Sequence, residues 1–365
     1  MNFPAQIVSH IELLYFKQYL QQSFEFHHKL NIITGNNGLG KTNLLDAIYY
    51  NCFLKSYFFK NDQFVFPFEK DKIQLNTNIQ IQDNNFSIKV LNVKDSKKQA
   101  WLNNIPIEKQ IEISGRFPIV FIEPYDQDLI IGSAENRRKF LDATLALGNP
   151  IYLQKLIDYQ KLIKQKNALL KQLPFSNSSE TVLDIYNTKL IDLNTYIFKE
   201  RIEFITQFNT IFKTKYKQIF DGDEHIQLEY ESKFKGQNID TLINQNKQDE
   251  ILAQRTLIGI HNDDISFMMN NIPAKKIASQ GQQKTIVLAL KFAQYEYIAR
   301  CTKKLPLLFL DDIFDKLDMG RIQKILQIIH EENFGQIFIT YTDVNRILSI
   351  LQKLSIKDFK HILIN

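Results

Sequence analysis

One stretch constrains the fold more than any other: Asn31-Ile32-Ile33-Thr34-Gly35-Asn36-Asn37-Gly38-Leu39-Gly40-Lys41-Thr42-Asn43-Leu44-Leu45-Asp46-Ala47-Ile48. It reads as a short apolar strand, a glycine-rich turn and a helix that is apolar at Leu44, Leu45, Ala47, Ile48 and Cys52. Gly35 with Gly40-Lys41-Thr42 fits the pattern G-x-x-x-x-G-K-[ST], in the strand–turn–helix context that the pattern requires. Its glycines reach backbone angles closed to other residues. The N–H groups of Gly35, Asn36, Asn37, Gly38, Leu39 and Gly40 can then converge on phosphate oxygens. The positive end of the following helix adds to that field. Lys41 is placed to reach the β and γ phosphates, and the Thr42 hydroxyl to complete a Mg²⁺ shell. A nucleotide is the expected ligand.

At 365 residues the chain has room for two or three domains, and its net charge of +5 permits nucleic acid without demanding it. The two cysteines, Cys52 and Cys301, stand far apart without metal-ligand spacing; they suit a reducing compartment and are expected as buried packing residues. No stretch resembles a signal peptide or a membrane span, so no membrane partner is expected.

In chain order, strands are expected at Ile7 to Phe16 and around Ser23 to His27, and a helix over Asn43 to Phe53. The aromatics from Tyr57 to Phe68 could stack bases but read better as packing residues. From Ile73 to Ile107 polar and apolar residues alternate around Asn-rich turns, which predicts an antiparallel meander. A β-rich run at Pro118 to Phe121 gives way to about a hundred helical residues: Glu135 to Leu147, Ile151 to Leu173, a turn at Pro174 to Ser179, and Val182 to Phe220. No heptad is sustained there, so an inserted helical domain is expected, not a coiled coil. Then follow a strand at His225 to Phe234, a hairpin at Ile265 to Ile277 and a helix from Ser279 through Ala299. The chain ends with strands at Leu305 to Leu310, Gln336 to Thr340 and Phe359 to Ile364, and a helix at Met319 to His330. This alternation predicts an α/β fold with a parallel, doubly covered sheet.

Two further segments carry chemistry. Leu307-Leu308-Phe309-Leu310-Asp311-Asp312 is an apolar strand with acids at its carboxyl end, where open α/β sheets bind ligands. Asp311 would hold Mg²⁺ and Asp312 would act as the general base on water, although two acids after an apolar run also suit a turn or a cap. Ser279-Gln280-Gly281-Gln282-Gln283 opens a helix about thirty residues earlier; by itself it reads either as a phosphate site or as a plain helix cap. The order of phosphate loop, Ser-x-Gly-Gln, apolar-Asp-Asp and Leu317-Asp318 resembles that of ATP-binding-cassette ATPases. In that class Ser-x-Gly-Gln of one subunit caps the γ-phosphate held by another. The resemblance implies ATP as the nucleotide, with Ser279, Gln280, Gly281 and Gln282 acting in an ATP-dependent homodimer.

More specifically, the chain resembles the RecF-type recombination mediators. The likeness rests on Phe16-Lys17-Gln18-Tyr19, the stretch Gly35 to Tyr49, Glu123-Pro124 to Leu129, Arg137-Arg138-Lys139-Phe140-Leu141-Asp142, Lys164 to Leu170, Gly259 to Asp264 and Ser279 to Thr285, in order along the chain. It implies an ATPase head of the cassette type, residues 1–130 with 255–365, carrying an antiparallel β subdomain, and a mainly helical insertion at 131–254. It also places Lys17 in the nucleotide site. The implied function is ATP-dependent binding of double- and single-stranded DNA at gaps and junctions, and help in loading RecA with RecO and RecR. Repair, recombination, the SOS response and fork maintenance would follow, in the cytoplasm at the nucleoid. A weak, DNA-dependent ATPase would reset the assembly. Lys17 stands where Arg is usual, keeping the charge but losing the planar fork; Ile260 replaces a proline, and no lid-loop glutamine stands out.

Weaker signals remain open. Arg137 and Arg138 suit DNA phosphates, nucleotide across a dimer, or a salt-bridged pair. Lys161, Lys164 and Lys171 share a face of the long helix, with Lys155 and Lys166 near it; the stripe is a solvated face or a DNA contact. His261 suits a structural, hydrogen-bonded role, with nucleotide sensing as the alternative. His27-His28 reads as a loop pair without companion ligands. An SMC/Rad50-type chromosome ATPase head shares the motifs but should carry a far longer coiled coil, and a transporter ATPase subunit should show a lid glutamine.

Overall fold

The computed structural model describes residues 3–173, 180–220, 222–314, 319–332 and 334–365. The turn expected at 174–179 and the Leu-Asp motif expected within 315–318 lie outside the described residues.

Alternating burial builds β1 (Gln6–Phe16), which reverses at residues 17 and 18 into β2 (Tyr19–Glu25). β2 therefore starts four residues ahead of expectation, because Phe16 pairs with Tyr19 in a tight hairpin that its polar text had hidden. β3 (Leu30–Thr34) leads through the glycine loop into α1 (Lys41–Phe53). The alternating segment becomes β4 (Lys72–Ile81), β5 (Asn84–Val93), β6 (Gln99–Leu102) and β7 (Ile105–Pro106), and β8 (Ile119–Ile122) follows. Next come α2 (Asp128–Ile131), α3 (Ala134–Gly148), α4 (Pro150–Gln172) and α5 (Glu180–Ile219). β9 (Ile226–Glu231), α6 (Ile239–Gln245), α7 (Lys247–Ala253), β10 (Asp264–Met269), β11 (Ile272–Pro273) and α8 (Ala274–Ile277) precede α9 (Gln280–Thr302). β12 (Leu307–Asp311), α10 (Met319–Glu331), β13 (Ile337–Tyr341), α11 (Val344–Lys353) and β14 (Phe359–Leu363) close the chain.

The chain divides into two compact units, Met1–Asp126 with Gln294–Asn365, and Gln127–Ala293. The second unit reaches well past the boundary expected at residue 254, because β10 pairs along its whole length with β9 and so keeps the later hairpin there.

The first unit holds a parallel sheet ordered β14-β3-β13-β12-β8. β3, β8, β12 and β13 are buried at every position, as strands covered on both faces must be. β13 lies between β3 and β12, and the register sets Thr340 beside both Ile33 and Asp311. The carboxyl ends of the phosphate-loop strand and the acidic strand are thus one strand apart. A six-stranded antiparallel sheet, β2-β1-β4-β5-β6-β7, contains the expected meander. Tyr57 stacks on Phe121 with ring centroids 4.4 Å apart, so that end of the aromatic run packs, whereas Phe68 is exposed. Cys52 is buried as expected; Cys301 is exposed, near the end of α9.

The second unit combines the helices with the small sheet β11-β10-β9. α4 and α5 run along each other: Asn149 reaches Glu200 at one end, and Leu162 and Leu193 line the same groove further along. α5 carries 40 residues, about 60 Å of helix. No helix among the described residues is long and apolar enough to cross a membrane.

Candidate functional site

The phosphate loop has the backbone that its glycines allow. Gly35 and Gly40 have φ of +149° and +104°, a region that side chains avoid. Space excludes a side chain as well: a Cβ on Gly35 would lie 2.4 Å from the Ile364 carbonyl oxygen, and one on Gly40 would lie 2.2 Å from Gln18 Nε2. α1 starts directly after the loop with no side-chain cap and no acid in its first turn. Its leading N–H groups therefore remain available to an anion, reinforced by the helix dipole.

Lys41 is 4% exposed, and its ammonium folds back to donate to the carbonyls of Gly35 (3.0 Å) and Asn36 (3.2 Å). The Thr42 hydroxyl lies 2.9 Å from both carboxylate oxygens of Asp311, across β13. Thr340 donates to the same carboxylate at 2.7 Å. Burial raises the Asp311 carboxyl to about 6; the Thr340 and Thr42 hydroxyls and Lys41 pull it down, and Asp312 pushes it up. A buried carboxylate held mainly by neutral hydroxyls is short of positive charge. Its oxygens and the Thr42 hydroxyl are hard donors of the kind Mg²⁺ takes, so the donor set fits that ion. Asp312 sits at φ +48°, with its N–H donating to Thr340 Oγ1 at 2.9 Å.

Lys17 departs from expectation. Its ammonium is paired with Asp46 at 2.8 Å, and the two side chains are 9% and 0% exposed. It also lies over the rings of Phe58 (5.1 Å) and Phe59 (5.0 Å). Asp46 further accepts from Ser56 Oγ and from the Tyr57 N–H, both at 2.7 Å. A carboxylate buried inside α1 without Lys17 would be left largely uncompensated, so the pair ties the ammonium to α1.

In the second unit Ser279 and Gln282 form a reciprocal cap at the start of α9. Ser279 Oγ accepts from the Gln282 N–H at 3.3 Å, and Gln282 Oε1 accepts from the Ser279 N–H at 2.9 Å. Gln282 Nε2 also donates to Glu224 at 2.9 Å, while Gln283 donates to the Ala278 carbonyl. Ser279 and Gln280 are exposed and Gly281 is half-buried, so the start of the helix is open to solvent.

The basic candidates separate. Arg137 is 7% exposed and forks onto Asp264 through Nε (2.7 Å) and Nη2 (2.8 Å), a buried bidentate pair. Arg138 donates to the Asp263 carbonyl at 2.6 Å. Lys155, Lys161, Lys164 and Lys171 are exposed, but Lys166 is fully buried against Glu250 at 2.5 Å and leaves the stripe. His261 is hydrogen-bonded into the second unit: its Nδ1 lies 2.6 Å from the Tyr159 hydroxyl, and burial lowers its pKa. His27 and His28 do have a companion, Asp358. His27 Nδ1 accepts the Lys29 N–H at 3.2 Å, which leaves Nε2 to donate to Asp358 at 3.1 Å, a loop hydrogen bond.

Sequence reasoning missed Thr340, Asp46, Gln18 and Tyr19. Two signals were available: an acid amid the apolar Leu44, Leu45, Ala47 and Ile48, and a threonine ending an apolar strand.

The model describing the RecF/RecN/SMC N-terminal domain matches residues 7–357. The DNA replication and repair protein RecF of Flavobacterium johnsoniae is 37% identical over 94% of this chain and 96% of its own length. That of Cytophaga hutchinsonii is 36% identical over 98% and 95%. Among solved structures, the recombination mediator protein RecF with ATPrS has a TM-score of 0.88 at 24% identity over 94% of both chains. An SMC head bound to the C-terminal winged-helix domain of ScpA has 0.55 at 13%, over 94% of this chain and 91% of that one. These structural likenesses share the fold: an ATP-binding-cassette type of head. With its length matched almost end to end by those relatives, the chain belongs to the RecF family of DNA replication and repair proteins.

Proposed function

We propose that the chain is an ATP-dependent DNA-binding recombination mediator whose nucleotide is sandwiched between two copies. The observation that carries this reading is the convergence of Lys41, Thr42 and Asp311 at the carboxyl edge of the parallel sheet. The loop N–H groups and Lys41 would bind the phosphates of ATP. Thr42 and Asp311 would hold Mg²⁺, which when bound neutralises charge on the β and γ phosphates. Asp312 would orient and deprotonate the attacking water. Being one methylene shorter than Glu, it suits slow turnover that serves as a timer.

The second copy's Ser279 segment, exposed at Ser279 and Gln280, would cap the γ-phosphate at the positive end of its helix. The assembled dimer would bind double- and single-stranded DNA at gaps and junctions. With RecR and RecO it would help load RecA in the cytoplasm. Family membership supports this role, as does the recombination mediator RecF of the RecFOR pathway, which shares the fold.

Sedimentation velocity of the full chain with and without ATP and Mg²⁺ tests the reading. A dimer should form only with ATP and Mg²⁺. Ser279→Arg should stay monomeric while binding ATP with near-normal affinity. A monomer at saturating ATP, or loss of ATP binding in monomeric Ser279→Arg, would overturn it.

A further inference from the structure

Three consecutive residues at the β1–β2 reversal, Lys17 and Gln18 of the turn and Tyr19 opening β2, are matched to three positions at the start of α1, its N-cap Gly40 included. Tyr19 donates its hydroxyl to the Gly40 carbonyl at 3.0 Å, Gln18 Oε1 accepts from Asn43 Nδ2 at 3.1 Å, and Lys17 pairs with Asp46 at 2.8 Å. Their partners lie three residues apart, at 40, 43 and 46. That spacing places them on one face of the helix, starting at its first carbonyl. The turn is itself held from behind, since the Lys17 N–H donates to the carbonyl of fully buried Val65 at 2.8 Å.

From this register we infer that Lys17, Gln18 and Tyr19 form a clamp that fixes the position of the phosphate loop, and that they are positioning residues for nucleotide binding. The inference rests on the nucleotide reading above. Gly40 is the pivot. Its carbonyl takes both the Tyr19 hydroxyl and the first helical N–H, from Leu44 at 2.9 Å. Gln18 fills the space where a Gly40 side chain would stand. Gly40 is free to rotate by its own chemistry, and the clamp removes that freedom. The N–H groups that meet phosphate are then set before the ligand arrives, which is where preorganisation adds affinity. Lys17 anchors the far end, because Asp46 is also held by Ser56 and Tyr57. A lysine in the family's arginine position therefore acts through α1 and not on the ligand.

Titration with a fluorescent ATP analogue and Mg²⁺, beside thermal unfolding of the ligand-free chain, tests the clamp. Tyr19→Phe removes one hydroxyl and should raise the dissociation constant about fivefold, the worth of one hydrogen bond, with little change in the unfolding midpoint. Gln18→Ala should weaken binding similarly but gain nothing further when combined with Asn43→Ala, whereas Gln18→Glu, which still accepts from Asn43, should restore it. Unchanged affinity in both Tyr19→Phe and Gln18→Ala, with binding abolished in Lys41→Met, would overturn the clamp and leave the nucleotide reading standing. If the unaltered chain fails to bind the analogue, both fall.

Discussion

The buried network around Arg201 in the second unit and the buried Asp311 of the first are partnered in opposite ways, whereas Asp46 of the first unit, held by Lys17, sides with the former. In the second unit the charges are saturated with partners. Arg201 is 1% exposed and donates to Asp142 (2.8 Å), Asp263 (3.3 Å), the Ile260 carbonyl (2.8 Å) and the Tyr152 hydroxyl (3.1 Å), while Tyr230 adds its own hydroxyl to Asp263. In the first unit Asp311 is buried almost as deeply, yet it accepts from the Thr42 and Thr340 hydroxyls. Titration reports burial as well as partners: Asp263 too is pushed up by burial, although Arg201 and Tyr230 pull it down. Burial pushes both Asp264 and Asp311 up, but at Asp264 the Arg137 fork and the Ile265 N–H outweigh it, and the carboxyl ends below its ordinary value. At Asp311 burial wins, and the carboxyl rises to about 6. A saturated buried charge holds structure together; one short of positive partners marks a place for a cation.

The strongest way to break this distinction is to remove one charge from each unit. Arg201→Met leaves Asp142 and Asp263 facing each other without a cation, at a cost of about 4 kcal/mol by the behaviour of broken buried pairs. Lys41→Met removes two hydrogen bonds to loop carbonyls and its attraction to Asp311, and should cost about 2 kcal/mol, while abolishing nucleotide binding. Urea unfolding of both variants gives the comparison. Equal destabilisation would mean that Lys41 is as structural as Arg201.

A finer cut lies within the second unit. Lys166→Met strands Glu250, although that carboxylate keeps the N–H groups of Leu257 (2.8 Å) and Ile258 (3.2 Å). The loss should be about 3 kcal/mol, smaller than for Arg201 because part of the network survives. Adding Glu250→Gln should recover much of it, since the amide oxygen still accepts from both N–H groups while the unpaired charge is gone. No recovery in denaturant unfolding would show that shape, and not charge, sets the cost.

What could be read from the text, and what could not, divides on the same physics. The loop from Gly35 to Thr42 and the acid Asp311 were legible because short-range backbone chemistry specifies them. Partnerships set by strand order were not. That Thr340 joins Thr42 on the Asp311 carboxylate follows from β13 lying between β3 and β12, which no periodicity encodes. Lys17 and Arg137 look alike as free cations in sequence; only tertiary packing assigns them Asp46 and Asp264. Likewise β9 and β10 pair across more than thirty residues, which keeps residues beyond 254 in the second unit. α6, α7 and α11 were overlooked because they are short. α11 nevertheless carried a usable sign in Asp343, whose side chain caps the Arg346 N–H at 3.0 Å.

The smallest effect on stability is expected where the comparison narrows to a single helix. α4 carries fully buried Lys166 alongside exposed Lys161, Lys164 and Lys171. Replacing the three exposed lysines by glutamine removes charges that water already solvates, so the unfolding free energy should move by less than about 0.5 kcal/mol. If this face meets DNA phosphates, the change should appear elsewhere. Affinity for gapped duplex should fall at low salt, and the slope of log affinity against log salt should shrink by about one for each lysine in contact. Titrations at several salt concentrations with ATP and Mg²⁺ present measure that slope. An unchanged slope would make the stripe a solvated surface and move the DNA contact to another face, whereas a loss of stability as large as that of Lys166→Met would show that exposure on α4 does not separate binding charges from structural ones.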